Sequence, residues 1–210
     1  GKMATSATAT MPQNRAIAEG AELAVSSWDI LSGDVKPADD VLLFDDSAAH
    51  PGLSAAEAIS ESGSTLAIIS PERFFAADMG GLNLVPYMRK FASRSVEIIT
   101  MTRIRKLERT GNRIKATLWS PYSQADCGER LASQVVVENG TEPLAELYFA
   151  LKPGSANGGA VDYAAMIDAA PQTVVSNTDG RYRLFRIGDA VASRNVHAAI
   201  YEANRLARTF

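Results

Sequence analysis

The stretch that decides the fold is "VLLFDDSAAHPGLSAAEAISESGSTLAIIS", Val41 to Ser70. Val41 to Phe44 is apolar without a break, as a strand covered on both faces is. Leu53, Ala56 and Ile59 then recur at helical spacing, and Gly63 supplies a C-cap. Thr65 to Ser70 returns to an apolar run, so strand, helix and strand close within about 30 residues, the size of a βαβ unit. The right-handed crossover makes the two strands parallel. In a dinucleotide-binding unit the first strand-to-helix turn carries G-x-G-x-x-G, whose backbone N–H groups and helix N-terminus meet a pyrophosphate. Here that turn reads Asp45-Asp46-Ser47-Ala48-Ala49-His50-Pro51-Gly52, with only Gly52 near the place of the third glycine. A carboxylate facing a diphosphate repels it by roughly 1 kcal/mol per charge pair at about 4 Å in water, and by more when desolvated. The turn keeps the architecture while arguing against ordinary NAD(P)H binding.

Working outward, Asn83 to Ser95 reads as a second helix interrupted early by Pro86, and Val96 to Thr102 as a third strand. Alternation around Thr110-Gly111-Asn112 predicts an antiparallel hairpin. Ala132 to Gly140 adds another apolar strand, and Ser26 or Ser27 before "WDIL" is an N-cap signal for a short helix, Ser27 to Leu31. The expected fold is α/β, a Rossmann-like doubly wound parallel sheet with an inserted antiparallel hairpin. In the tail, "YRLFRIGD" (Tyr182 to Asp189) reads as a strand. "NVHAAIYEANRLART" reads as an amphipathic helix with Val196, Ile200, Ala203 and Leu206 on one face.

Across 210 residues, 46% apolar side chains suffice for a core, and 21 basic against 24 acidic groups give a net charge of −3, unlike the basic face of a nucleic-acid binder. No apolar run reaches the roughly 20 residues of a bilayer span, and Gly1 to Thr10 lacks the apolar core of a secretory signal. The expected location is cytoplasmic, without membrane or nucleic-acid partners. Cys127, the only cysteine, sits in a polar, loop-like stretch and excludes a disulfide framework, a thiolate zinc site or an iron–sulfur cluster held by this chain alone. His50 and His197 lack partners at ligand spacing, and "GSANGGA" lacks the Lys-Ser/Thr of a phosphate loop. The basic run Arg103, Arg105, Lys106, Arg109 and Arg113 falls on the hairpin, where alternation places charges in water.

Four stretches lie in a recognisable order. "ATSAT" (Ala4 to Thr8) resembles the "ATGA" crossover strand of flavoproteins with two dinucleotide-binding domains, and "VVVENGTEP" (Val135 to Pro143) the matching "VVxATGxxPN" strand. "FRIGDAVASRNVHAAIYEANRLA" (Phe185 to Ala207) resembles the closing "GD" motif and helix of the flavin domain. "WDILSGDVKPADDVLLFDD" and "ISPERFFAADMGGLNLVPYMRKF" are similar to the C-terminal region of the NADH:flavin oxidoreductase group. That group includes 2,4-dienoyl-CoA reductase, trimethylamine dehydrogenase and the related dimethylglycine and N-methylproline demethylases. The resemblance spans nearly the whole chain. It implies a C-terminal piece of a longer oxidoreductase whose FMN-binding barrel and cysteine-ligated 4Fe-4S cluster lie elsewhere. The domain division it implies is 1–38, crossover strand and linker of a flavin-type domain, 39–145, the Rossmann-like domain, and 146–210, linker and closing strand-helix.

On that reading the chain has no catalytic or metal-binding residues of its own, and its partners are the remaining domains of the parent enzyme and an ADP-like nucleotide, with an oligomer compatible. The candidate cofactor-binding residues are Gly52, Ser54, Glu72, Arg73, Gly188 and Asp189. Gly52 and Ser54 lie where the helix begins. Glu72, after the second strand, is placed to accept ribose hydroxyls and Arg73 to pair a 2′-phosphate, an order favouring NAD or ADP over NADP; two solvated surface charges is the competing reading. "MGG" (Met79 to Gly81) is a close-approach loop or a turn. The resemblance gives Asp189 a flavin ribityl chain to bind, against a plain helix cap. The cofactor set is ADP, NAD or FAD here, and FMN and 4Fe-4S in the parent. A structural or interaction module with a decayed dinucleotide site is the alternative.

Overall fold

The computed structural model describes residues 2–3, by their backbone, and residues 17–210, so the crossover strand expected at Ala4 to Thr8 lies outside the described residues. The chain forms two compact units, Ala4–Gly140 and Gly1–Met3 with Thr141–Phe210. In the larger unit, β2 (Val25–Ser26), β3 (Asp40–Asp45), β4 (Thr65–Ile69), β5 (Glu97–Ile99) and β9 (Gln134–Glu138) form a sheet in the order β2-β9-β3-β4-β5. Every pairing in it is parallel.

Side chains alternate across a strand, and this builds the layers. Val41, Leu43, Leu66, Ile68 and Val136 meet Ile30, Leu53, Ala56, Ile59 and Phe91 from α1 (Ser27–Ser32), α2 (His50–Glu61) and α3 (Gly81–Ser93). Leu42, Phe44, Ala67, Ile69 and Val135 point the other way. They meet Ile104, Leu107, Ile114, Ala116, Leu118 and Ala132 of a second, antiparallel sheet, β6 (Arg103–Thr110), β7 (Arg113–Ser120) and β8 (Ala125–Ala132). Leu42, Leu43 and Phe44 are fully buried, each contributing roughly 1.5–3 kcal/mol.

Several elements differ from expectation. α2 begins at His50, ahead of Leu53, because Pro51 fits a first helical turn. α3 runs straight through Pro86. The N–H that Pro86 lacks would have met the carbonyl of Leu82, and both residues lie on the exposed side, where a carbonyl freed of that bond faces solvent rather than the core. The stretch around Cys127 is a strand: β8 pairs with β7 along its length, so the inserted hairpin has three strands. β8 is almost wholly exposed, so it shows no apolar alternation to read.

In the smaller unit, β1 (Lys2–Met3) pairs antiparallel with β10 (Thr141–Glu142), followed by α4 (Glu146–Leu151), α5 (Tyr163–Ile167) and α6 (Val196–Ala207). Tyr182 to Asp189 is not the expected strand. A strand exists through its neighbour's ladder, and among the described residues this stretch has one bridge, Ser155 to Tyr182. Two buried amides organise the loops instead. Asn157 Nδ2 donates to the carbonyls of Ala160 and Leu184 at 2.8 Å, and Gln172 exchanges hydrogen bonds with the backbone of Asp162 at 2.7 and 2.9 Å. On α6, Leu206 is buried, but Val196 and Ile200 of the expected apolar face stand 70% and 63% exposed.

Candidate functional site

β3 stands where the strand order reverses: the chain moves from β3 to β4 and β5 on one side and returns on the other to β9, which lies between β3 and the earlier β2. In open α/β sheets ligands sit outside the carboxyl ends of the strands at such a reversal. Residue alternation decides what β3 presents there. Asp45 follows Val41 and Leu43 toward the helices, and Asp46 turns toward the antiparallel sheet.

Asp45 is fully buried. Its Oδ1 accepts hydrogen bonds from the Ser47 N–H (3.0 Å), the Ser47 hydroxyl (2.8 Å) and the Ala48 N–H (3.2 Å), while its Oδ2 has no partner among the described residues. The carboxyl group lies in the space left by the missing side chain of Gly52. A Cβ there would fall 2.4 Å from its Cγ and 2.5 Å from both oxygens. Gly52 thus makes room for an acid of the chain itself against the first turn of α2, and Pro51 removes one N–H from that turn. The loop closes through Ala48, whose φ of 51° is left-handed.

Asp46 meets both terminal guanidinium nitrogens of Arg103 at 3.2 and 3.3 Å, with the side chains 22% and 18% exposed. Its N–H donates to the Glu138 carbonyl at 2.8 Å. Glu138 ends β9 directly beside Asp45. One of its carboxyl oxygens accepts from the Ser27 hydroxyl at 2.5 Å and the other from the Gly140 N–H at 2.7 Å. Burial holds all three carboxyls above the ordinary carboxylate range. It outweighs the Ser47 and Ala48 hydrogen bonds at Asp45, the Arg103 pairing at Asp46, and the Ser27 and Gly140 hydrogen bonds at Glu138, where the Asp45 charge adds to the rise. The turn thus sets acids, partnered largely from within the chain, where a dinucleotide fold seats its pyrophosphate.

The other candidate residues are distributed as follows. Ser54 is the fifth residue of α2 and half-buried. Glu72 and Arg73 are exposed after β4; Glu72 lines a cleft with Arg103, Trp119, Tyr122 and Gln124, and Arg73 stands outside it. "MGG" is the start of α3, with Gly80 as its N-cap. Gly188 and Asp189 belong to the smaller unit. There the Gly188 N–H donates to Glu202 at 2.7 Å, Gly188 takes a left-handed φ of 57°, and Asp189 is exposed. His50 and His197 are exposed, and among the described residues no three His, Cys, Asp or Glu side chains are grouped to hold a metal ion. Nor is any described helix long and apolar enough to cross a membrane.

Sequence reasoning missed Glu138, Ser27 and Arg103. An acid closing the apolar run "VVVE" was the available signal for Glu138. Within the basic run Arg103 departs from the solvated charges expected, being mostly buried on Asp46, whereas Arg105 and Arg113 are exposed, paired at the surface with Asp126 and Asp40.

The chain matches no family model. It is 46% identical over 200 residues to a probable N-methylproline demethylase of Rhizobium meliloti, covering 95% of this chain and 29% of that protein. It is 39% identical over 192 residues to an N,N-dimethylglycine/sarcosine dehydrogenase of Chromohalobacter salexigens, covering 90% and 28%. The chain therefore spans less than a third of the curated relatives it matches. Among solved structures, the 6-hydroxypseudooxynicotine amine oxidase of Pseudomonas geniculata N1 superimposes with a TM-score of 0.68 at 17% identity, over 99% of this chain and 27% of that one. Histamine dehydrogenase from Rhizobium sp. 4-9 gives 0.65 at 15% identity, over 90% and 26%. At such identities the structures speak for the fold alone, and the fold they share is this one. Sequence relatives and architecture together make the chain a member of the NADH:flavin oxidoreductase family of 2,4-dienoyl-CoA reductase and trimethylamine dehydrogenase, corresponding to its C-terminal FAD/NAD(P)-binding-type region.

Proposed function

We propose that the chain is a non-catalytic, nucleotide-binding-type part of a larger amine-oxidising or N-demethylating flavoenzyme, and that its β3–α2 turn serves structure rather than hydride chemistry. Substrate oxidation then belongs to an FMN and iron–sulfur centre carried by other residues of the parent enzyme. A single cysteine cannot supply such a cluster. The reading rests on one observation: a buried carboxyl group, that of Asp45, packs against Gly52 in the first turn of α2, the helix start at which this architecture seats a pyrophosphate. The larger unit is read as the nicotinamide-type domain and the smaller as part of the flavin-type domain. Gly188 and Asp189 remain the candidates for flavin contact in the latter.

Exposed apolar side chains in the smaller unit, Leu147, Phe149, Val196 and Ile200, favour an additional interaction role toward the parent's remaining domains. The test is to add NADH and a dye acceptor to the 210-residue chain, alone and with added FAD. The reading expects no dye reduction above the buffer rate in either case. Turnover with NADH overturns it.

A further inference from the structure

Asparagine precedes glycine at Asn139-Gly140 in the larger unit and at Asn157-Gly158 in the smaller. Such a pair is open to self-modification, because the nitrogen of a residue without a Cβ approaches the preceding carboxamide unhindered. We propose that Asn139-Gly140 is a site of self-catalysed deamidation with the Glu138 carboxylate as its built-in base, and that Asn157-Gly158 is held inert by its surroundings.

The Gly140 nitrogen bonds Cγ of Asn139 and gives its proton to Glu138 Oε1, closing a succinimide ring. The Cγ–Nδ2 bond then breaks, Glu138 returns the proton to Nδ2, and ammonia leaves. Water opens the ring at either carbonyl. The sum is asparagine plus water going to aspartate or isoaspartate plus ammonia, with no oxidant or cofactor. The product adds one negative charge beside Glu138, taking the chain from −3 to −4 at pH 7.

The geometry separates the two pairs. Glu138 Oε1 accepts from the Gly140 N–H at 2.7 Å, within the reach that a general base needs of the proton it takes. The Ser27 hydroxyl holds the other oxygen of that carboxyl group. Burial keeps Glu138 above the ordinary carboxylate range and so nearer neutrality, where a base works best. Asn139 Oδ1 is buried with no partner among the described residues, so turning the carboxamide toward the Gly140 nitrogen breaks no hydrogen bond at that oxygen. Gly140 has a left-handed φ of 70°, and a Cβ there would meet nothing within 4 Å, which leaves room for the ring. Both residues are only half-buried, so water reaches them. Asn157, by contrast, is 1% exposed. Its Nδ2 donates to the carbonyls of Ala160 and Leu184, and its Oδ1 accepts from the Leu184 N–H at 2.9 Å. The Gly158 N–H meets the Ser155 carbonyl, a far weaker base, at 3.3 Å. Turning that carboxamide breaks all of its hydrogen bonds, with no acid at hand to take the proton.

The test incubates the folded 210-residue chain at about pH 7 and follows the gain of about one mass unit, and the appearance of isoaspartate, at Asn139 and Asn157 by peptide mass spectrometry. Asn139 is expected to convert about tenfold faster than Asn157. It is also expected to convert about tenfold faster than in the same chain unfolded in urea, where neither the base nor the hydrogen bonds persist. Glu138→Gln keeps an acceptor for the Gly140 N–H but cannot take its proton. It should slow Asn139 about tenfold and leave Asn157 unchanged. Should that variant lose the parent's far-ultraviolet circular dichroism, the comparison of folded and urea-unfolded parent decides alone. Equal rates at the two asparagines in the folded chain overturn the proposal. So does an Asn139 rate in urea equal to or above the folded rate, or an undiminished rate in folded Glu138→Gln, which leaves an ordinary Asn-Gly lability without a base.

Discussion

At Gly52 the absent side chain is what keeps a carboxyl group buried. Gly52→Ala drives a methyl group into the Asp45 carboxyl, whose neighbours on α2 and β3 are fully packed. The expected loss is about 2–3 kcal/mol, read from the urea midpoint; an unchanged midpoint contradicts this placement of Asp45. The same burial predicts a pH dependence. Asp45 is held above its ordinary 3.8, so the folded state keeps a proton that the unfolded chain releases. Its contribution is complete below about pH 4 and is lost as pH rises through the raised value. Asp45→Asn removes that loss, while Asp46 and Glu138, shifted in the same direction, remain in both proteins. The stability of the variant relative to the parent is therefore expected to increase between about pH 5 and about pH 8. Urea midpoints at the two pH values check it, and a relative stability that falls with pH contradicts it.

Among the elements, Ser27 links α1 to the end of β9 through the Glu138 carboxyl. Both side chains are buried, so Ser27→Ala leaves an acceptor without its donor and is expected to destabilise by about 1–3 kcal/mol in urea unfolding. A loss within experimental error argues that the contact carries no weight. What was legible in the sequence follows from burial. β3, α2 and β4 announce themselves because strands covered on both faces are continuously apolar and α2 packs one stripe, and α1 because Ser26 and Asp29 form a reciprocal capping box. β8 was hidden because an exposed edge strand is defined by its partner β7 rather than by its own composition. Tyr182 to Asp189 erred the other way: its residues suit a strand, but pairing is what makes one, and the stretch has a single bridge.

Over the whole molecule, the position of the candidate site was readable from the βαβ order, and so was its conflict with a pyrophosphate, since Asp45 and Asp46 stand in the turn itself. Its closure was not. Glu138, Arg103, Trp119 and Tyr122 arrive from the later strands and their turn, brought in by sheet order and layer packing that no local pattern encodes. The outcome is a reversal point whose acids are satisfied mainly from within, by Ser27, Ser47, Ala48, Arg103 and Gly140. The chain matches under a third of each demethylase or dehydrogenase relative, and the function proposed above gives such a site an organising role while chemistry proceeds elsewhere. Calorimetric titration of the 210-residue chain with NADH at about pH 7 tests this most directly: the closed turn predicts no binding tighter than about 1 mM, and a saturable Kd of about 10 μM or below contradicts it.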